Sequence, residues 1–66
     1  MIGRAEMNEY SAYLITEAGI IAGVQSVYSD DDEGALRIAR QLLVEARFPS
    51  IEVWDDLHRV GAIDLE

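Results

Sequence analysis

The chain has 66 residues, half of them apolar, and contains no cysteine and no lysine. This length suits one small domain, and the lack of cysteine excludes disulfides and thiolate zinc sites. Thirteen acidic side chains against five arginines give a net charge of −8, which disfavours binding to nucleic acids and to anionic membranes.

The first part of the chain predicts a β-hairpin. Residues 1–8 show no strong periodicity, and we expect them to form a flexible N-terminal arm. Residues 9–16, EYSAYLIT, are rich in aromatic and branched side chains and predict a strand. Gly19 predicts a turn because glycine adopts positive φ without strain, and residues 20–28, IIAGVQSVY, predict the second strand. Gly23 within that strand favours a bulge or a close backbone contact.

The next segment joins four consecutive carboxylates, residues 30–33, to the apolar spacing of a helix. From Ala35 the apolar residues recur at offsets of 0, 1, 3, 4, 7, 8 and 11, which form one stripe on a helix. Ser29 and Asp30 are favourable N-cap residues, and the helix dipole stabilises acids in the first turn. Phe48-Pro49 is expected to end the helix, because a residue before proline avoids helical geometry.

Other interpretations of the acidic run fit less well. An EF-hand loop with Gly34 at its sixth position places Arg40 at position 12, where calcium needs a bidentate carboxylate. Consecutive acids at a solvated helix start also lack the opposed environments that separate a general acid from a general base. The sequence therefore favours a helix start, and a weak surface cation site is the alternative left open.

The last third of the chain predicts two more strands. Residues 51–54, IEVW, read as a short strand, residues 55–58 as a turn and residues 59–63, RVGAI, as a final strand. We therefore expect residues 9–64 to form one α+β domain of order β-β-α-β-β, a small antiparallel sheet packed on one helix. Residues 65–66, Leu-Glu, read as the remnant of a cloning tag.

Residue types that carry chemistry are sparse. His58 is the single histidine, and a metal site needs further ligands, so a polar turn residue is the simpler interpretation. No serine lies in a nucleophile-elbow context, and there is no glycine-rich phosphate loop. We expect no catalytic activity from the monomer, no metal site and no cofactor.

Large apolar groups fall on both faces of the predicted sheet, because side chains alternate along a strand. In the first strand, strict alternation places Tyr13 and Ile15 on one face and Tyr10, Ala12 and Leu14 on the other. In the second strand it separates Ile21 and Val27 from Ile20, Ala22 and Val24. In the third strand it separates Glu52 and Trp54 from Ile51 and Val53. One helix, about 10 Å wide, does not cover even one face of a four-stranded sheet about 19 Å across. One apolar face is therefore expected to need a partner.

Self-association is the expected way to cover that face. The predicted dimer interface comprises Tyr13, Ile15, Ile21 and Trp54. A domain of this size buries only about 60% of the surface of its unfolded chain, so a second copy supplies missing burial. In one version of the dimer, the polar hinge at residues 29–33 opens and two chains exchange hairpins. The alternative is scattered surface aromatics, which need no partner.

Residues 9–63 combine four features in order. These are an aromatic hairpin with a glycine turn, an acidic helix start, alanines at helical spacing and two closing strands. The residues of this pattern are Tyr13, Leu14, Ile15, Gly19, Asp31, Asp32, Glu33, Ala35, Ala39, Leu42, Ile51, Glu52, Val53, Trp54, Arg59 and Val60. The pattern resembles a group of short bacterial proteins of unknown function, common in alphaproteobacteria. The resemblance implies the fold and assigns no activity. Gly34 replaces the usual alanine, which is expected to loosen the first helical turn, and the link through Phe48-Pro49 also departs from the group.

We expect a soluble cytoplasmic homodimer that acts as a structural or protein-interaction module, because no segment reads as a signal peptide or membrane span. The alternative is an acidic protein that binds another protein. The hairpin followed by DEGALRIARQLL resembles the antitoxin lobe of HicB-like proteins, although that family's proline-and-glycine segment is missing here. A basic product of a neighbouring gene would favour this role. A third interpretation is a small enzyme or ligand binder formed across the dimer interface.

Overall fold

The computed structural model describes residues 7–64 and has the predicted α+β fold, with element order β-β-α-β-β. The elements are β1 Asn8–Ile15, β2 Ile21–Ser29, α1 Asp32–Ala46, β3 Ser50–Asp55 and β4 His58–Asp64. Residues 1–6 of the expected arm and the expected tag remnant at 65–66 lie outside the described residues. Asn8 was assigned to that arm but is the first residue of β1.

The four strands form one antiparallel sheet in the order β2-β1-β3-β4. Because β2 and β3 are both antiparallel to β1, they run parallel to each other, and α1 connects them across β1. The outer strands are β2 and β4. We call the side of the sheet that packs on α1 the helix face and the opposite side the open face.

The β1–β2 hairpin turns as expected at Gly19, whose φ is 82°. The Gly19 N–H donates to the carbonyl of Thr16 at 2.9 Å, and the Thr16 N–H donates to the carbonyl of Ile20 at 2.9 Å. Beyond the turn the register shifts, since Ile15 pairs with Ile21 while Leu14 pairs with Gly23. The residue between them is left over as a β-bulge, next to the glycine that predicted one.

The bulge corrects the expected faces of β2. Strict alternation placed Ile21 and Val24 on opposite faces, and this is wrong. Residues paired across neighbouring strands share a face, so Ile21 lies on the open face with its partner Ile15, and Val24 lies there with its partner Tyr13. An extra residue in a strand reverses the alternation beyond it, which a period of two does not reveal.

The core lies between α1 and the helix face of the sheet. Its buried residues are Tyr10, Ala12, Val27, Ala35, Ala39, Leu43, Ile51 and Val53. Small alanines on α1 let the helix backbone approach the sheet, and full burial of a side chain such as Leu43 contributes about 1.5–3 kcal/mol. On β4, a Cβ at Gly61 would lie 3.2 Å from Leu36 Cδ2, so this glycine makes room for the leucine.

The helix begins one or two residues later than expected. The N-cap is Asp31, not Ser29 or Asp30, and its Oδ1 accepts a hydrogen bond from the Gly34 N–H at 2.7 Å. Ser29 still belongs to β2, where it pairs with Asn8. Its buried hydroxyl supports the cap by donating to the Asp31 carbonyl at 2.9 Å and accepting from the Asp31 N–H at 3.3 Å.

The helix ends at Ala46, before the predicted stop at Phe48-Pro49. Arg47 follows with φ 62° and ψ 40°, the left-handed conformation, and its N–H donates to the Leu43 carbonyl at 2.9 Å. The β3–β4 turn is shorter than predicted, since Asp55 pairs directly with His58. A second register shift follows, where Val53 pairs with Gly61 and Trp54 with Arg59.

Candidate functional site

The open face is the part of the molecule that α1 leaves uncovered. Its cross-strand rows, read from β2 to β4, are Ser26–Ser11–Trp54–Arg59, Val24–Tyr13–Glu52–Ala62 and Ile21–Ile15–Ser50–Asp64. The four residues of the predicted dimer interface, Tyr13, Ile15, Ile21 and Trp54, all lie on this face. Their position on one face agrees with the sequence analysis, whereas their role as an interface stays a prediction.

The apolar groups of the open face are most exposed on the outer strand β2. Ile21 is 59% exposed, Val24 61% and Tyr28 55%, while Tyr13 and Trp54 on the inner strands are half-buried. Neighbouring strands flank the inner residues, whereas β2 has a strand on one side. The predicted interface omitted Val24 and Tyr28. Alternate positions counted back from Tyr28 are Ser26 and Val24, and all three pair with open-face residues of β1.

A shallow groove of about 400 Å³ crosses the open face. It is lined by Tyr13, Ile21, Glu52, Trp54, Asp56 and Leu57. Leu57 lies in the β3–β4 turn and is 85% exposed. Two aromatic rings and two aliphatic side chains form most of the lining, and two carboxylates supply its charge. This mixture of an apolar centre and a few polar groups is typical of binding surfaces.

Glu52 organises the polar part of the groove. The Trp54 indole Nε1 donates to Glu52 Oε1 at 3.1 Å, and Arg59 Nη2 lies 3.6 Å from Glu52 Oε2. The side chains of Arg59 and Glu52 are 55% and 33% exposed, so this ion pair contributes at most about 0.2–1 kcal/mol. The hydrogen bond to Glu52 fixes the Trp54 indole beside the groove.

Acidic groups outnumber basic ones on the open face. Glu9 lies opposite Tyr28 and accepts a hydrogen bond from Ser26 Oγ at 3.1 Å. Glu52, Asp56 and Asp64 add further carboxylates, and Arg59 is the single cation among the residues of this face that the structure describes. The surface around the groove is therefore negative, in keeping with the net charge of −8.

The acidic helix start lies apart from the open face. One of its carboxylates is tied to the core, because the buried Tyr10 hydroxyl donates to Asp32 Oδ1 at 2.9 Å. Burial raises the pKa of Tyr10, and the hydrogen bond to Asp32 raises it further. Across residues 7–64, no group of three or more His, Asp or Glu side chains has the arrangement of a metal site. His58 is exposed and begins β4 instead of lying in the turn.

Comparisons with known proteins find no matching family model, no similar curated protein and no similar solved structure. The resemblance to a group of alphaproteobacterial proteins therefore stays a prediction. Within the part of the chain that the structure describes, no helix is long and apolar enough to cross a membrane.

Proposed function

We propose that this protein is a homodimeric interaction module of the cytoplasm, without catalytic activity of its own, in which a second copy covers the open face. The observation that carries the proposal is the collection of large apolar side chains on the face that α1 leaves free. Contiguous apolar patches of this kind mark interaction sites on small domains.

A two-fold contact suits the layout of the open face. In such a contact the same patch serves both copies, so its centre meets its own symmetry mate. Tyr13 and Trp54 lie near the centre of the face, and aromatic side chains are enriched at the buried centres of interfaces. Two sheets packed face to face lie about 10 Å apart, which buries side chains from both layers. The dimer thereby gains the second apolar layer that one helix does not provide.

A matched pair of charge substitutions tests this contact. Ile21→Glu places a carboxylate on the open face, and Val44→Glu places one on α1 at a residue of similar exposure, 59% against 55%. We expect the unmodified chain and Val44→Glu to remain dimers at micromolar concentration, and Ile21→Glu to become a monomer. Light scattering on a sizing column, over a wide concentration range, measures the masses. A folded, unmodified chain that is monomeric throughout would contradict the proposal.

Exchange of hairpins between two chains is a more specific form of the dimer. It requires residues 29–33 to extend, and this breaks the Asp31 cap and the Tyr10–Asp32 hydrogen bond. These bonds oppose exchange, so we propose that the dimer forms mainly between closed chains. Mixing mass-labelled and unlabelled dimers distinguishes the two forms. Closed chains redistribute as fast as the dimer dissociates, whereas exchanged chains redistribute only as fast as they unfold.

The second candidate is an acidic protein that binds a basic partner, such as a HicB-like antitoxin lobe. The specific observation in its favour is the excess of carboxylates on the open face, where Arg59 is the one cation among the described residues. Coexpression with the product of a neighbouring gene, where that product is basic, tests the idea. A complex that dissociates as salt is raised supports it, because salt screens attraction between exposed charges. An isolated gene would count against it.

A further inference from the structure

We propose that the outer edge of β2 pairs with the same edge of a second copy, in antiparallel register about a two-fold axis at Ser26. β2 is an outer strand, and among the described residues only β1 pairs with it. The backbone N–H and C=O groups along the other side of such a strand form a template for a further strand. This contact goes beyond the proposed function, because it uses the edge of the sheet and leaves the open face free.

The edge of β2 lacks the features that usually protect an outer strand. Charged side chains, lysine, proline and bulges normally discourage edge pairing. Residues 18–29 contain no charged residue and no proline, and the bulge near Ala22 leaves Gly23–Ser29 in regular register. The opposite edge, β4, carries an arginine, an aspartate and a histidine as well as its own register shift. The two edges of the sheet are therefore unequal, and β2 is the open one.

The absence of charged side chains along residues 18–29 makes a second copy of this chain a suitable partner for the edge of β2. Two chains of net charge −8 repel, and this repulsion is smallest where charges are sparse, as they are along β2. An antiparallel pair centred on Ser26 places Asp30 of each copy opposite Ala22 of the other, away from its own symmetry mate. A parallel pair in register would instead bring the two Asp30 side chains together. The sequence of β2 thus favours antiparallel pairing with itself.

The same register matches the exposed side chains of β2. It places Val24 opposite Tyr28 of the second copy, and this pair occurs twice because of the two-fold axis. Both side chains lie on the open face and are 61% and 55% exposed. Cross-strand pairs of an aromatic and a β-branched residue stabilise antiparallel sheets. The paired molecules would share one continuous sheet, with the helices on one side and the two open faces on the other.

Cysteine substitutions test the register directly, because the chain contains no cysteine. The two-fold axis places residue 26 opposite itself, within the Cα separation of about 4.4–6.8 Å that a disulfide spans. Ser11→Cys is the matched control, since Ser11 lies on β1, directly beside Ser26 of β2. The two Ser11 residues of the paired copies would lie about 14 Å apart, which is three strand spacings of about 4.8 Å. The rate at which a small thiol reagent labels each variant is measured on separate samples, so that cross-linking is compared at known thiol reactivity.

We expect mild oxidation to convert Ser26→Cys to a disulfide-linked dimer and to leave Ser11→Cys largely unlinked. The experiment is repeated in the Ile21→Glu background at protein concentrations well above micromolar, where we expect the weaker edge contact to form. This substitution removes the proposed open-face contact and lies outside the paired segment. Cross-linking through residue 26 that persists there supports the edge contact independently of the face contact. Equal cross-linking of the two cysteine variants, or none at residue 26, would overturn the edge contact. A reversible dimer that Ile21→Glu abolishes would then leave the open-face proposal standing.

A second pair of variants tests the contact without new bonds. Gln25→Glu adds a charge at the paired edge, and Gln41→Glu adds the same charge on the exposed side of α1. In the Ile21→Glu background, which we expect to be monomeric at micromolar concentration, the edge contact is measured at higher protein concentration. There we expect Gln25→Glu to weaken dimerisation by about tenfold or more, since like charges across an interface are strongly unfavourable. Gln41→Glu is expected to change it little. Equal dimer dissociation constants for the two variants would refute the edge pairing.

Discussion

Gly34 lies in the first turn of α1, directly against the hydroxyl of Ser29. A Cβ at Gly34 would be 2.3 Å from Ser29 Oγ and 3.0 Å from Asp31 Oδ1. The hydroxyl is buried and hydrogen-bonded on both sides to the Asp31 backbone, so it moves only by giving up those bonds. The glycine was expected to loosen the turn, but its contacts show that it makes space for the cap.

We expect Gly34→Ala to lower the free energy of unfolding by about 1–2 kcal/mol, because it displaces a buried, hydrogen-bonded hydroxyl. Alanine is normally better than glycine inside a helix by about 1 kcal/mol, so the sign of the effect is diagnostic. In a Ser29→Ala background the hydroxyl is absent, and Gly34→Ala should become neutral or stabilising. Urea denaturation of the four chains measures this coupling. Equal effects in both backgrounds would show that Ser29 is not the cause.

Tyr10 makes the stability of the fold depend on alkaline pH. Burial, followed by the hydrogen bond to Asp32, raises its pKa above the usual value of about 10. Below about pH 10 the phenol is protonated in both the folded and unfolded states, so it adds no pH dependence there. As the pH rises above 10, the unfolded state ionises first. Stability is then lost until the pH passes the folded pKa.

Tyr10→Phe should therefore flatten the loss of stability above about pH 10. At neutral pH it should cost about 0.5–1.5 kcal/mol, the net value of the lost hydrogen bond to Asp32. Tyr28→Phe, which removes an exposed phenol and keeps Tyr10, is the control. Denaturation midpoints measured from pH 7 to 11 compare the three chains. A Tyr10→Phe chain with the same alkaline slope as the unmodified chain would refute this role.

At the scale of the elements, regular alternation made part of the structure predictable. β1 and β3 alternate without interruption where they pair, and both their faces were predicted correctly. β2 and β4 each contain a register shift, and the sequence indicated only the one in β2, through Gly23. The N-cap was misplaced for a related reason. Ser29 is a good cap residue locally, but its pairing with Asn8 keeps it in the strand, and that contact spans a long stretch of chain.

The sequence alone predicted neither the order of the strands in the sheet nor the groove. The sequence predicted that four apolar side chains share a face, which follows from local periodicity. It did not predict that Glu52 links Trp54 to Arg59, because that contact depends on which strands are neighbours. Leu57 was likewise unexpected in the groove lining, since its position depends on the short β3–β4 turn. Local patterns thus predicted the elements, and long-range pairing determined the site.

The end of α1 offers a matched test of backbone strain. Arg47 adopts φ 62°, where a side chain is unfavourable and glycine is not. We expect Arg47→Gly to raise the free energy of unfolding by about 0.5–1 kcal/mol. Arg40→Gly, the same substitution in the exposed interior of α1, should lower it by about 1 kcal/mol. Thermal unfolding compares both variants with the unmodified chain. A destabilising effect of Arg47→Gly would contradict the conclusion that the backbone at Arg47 is strained.

At the scale of the whole molecule, the net charge of −8 controls how association responds to salt. Two copies of this chain repel, and salt screens that repulsion over a Debye length of about 10 Å at 0.1 M. Self-association should therefore strengthen by about threefold to tenfold between 20 and 500 mM salt. Binding to a basic partner should weaken over the same range. Sedimentation at several salt concentrations thus separates the two proposed functions by the sign of the trend.

The central position of β1 has a consequence for how the molecule opens. β1 pairs with β2 on one side and β3 on the other, and α1 crosses above it. Its partner β2 is adjacent in sequence, whereas β3 follows only after the helix. The hairpin can therefore form early and locally, and docking of β3 waits for a long loop to close. Deuterium uptake by the β1 amides should then require global unfolding, while the last strand, β4, exchanges through local fraying.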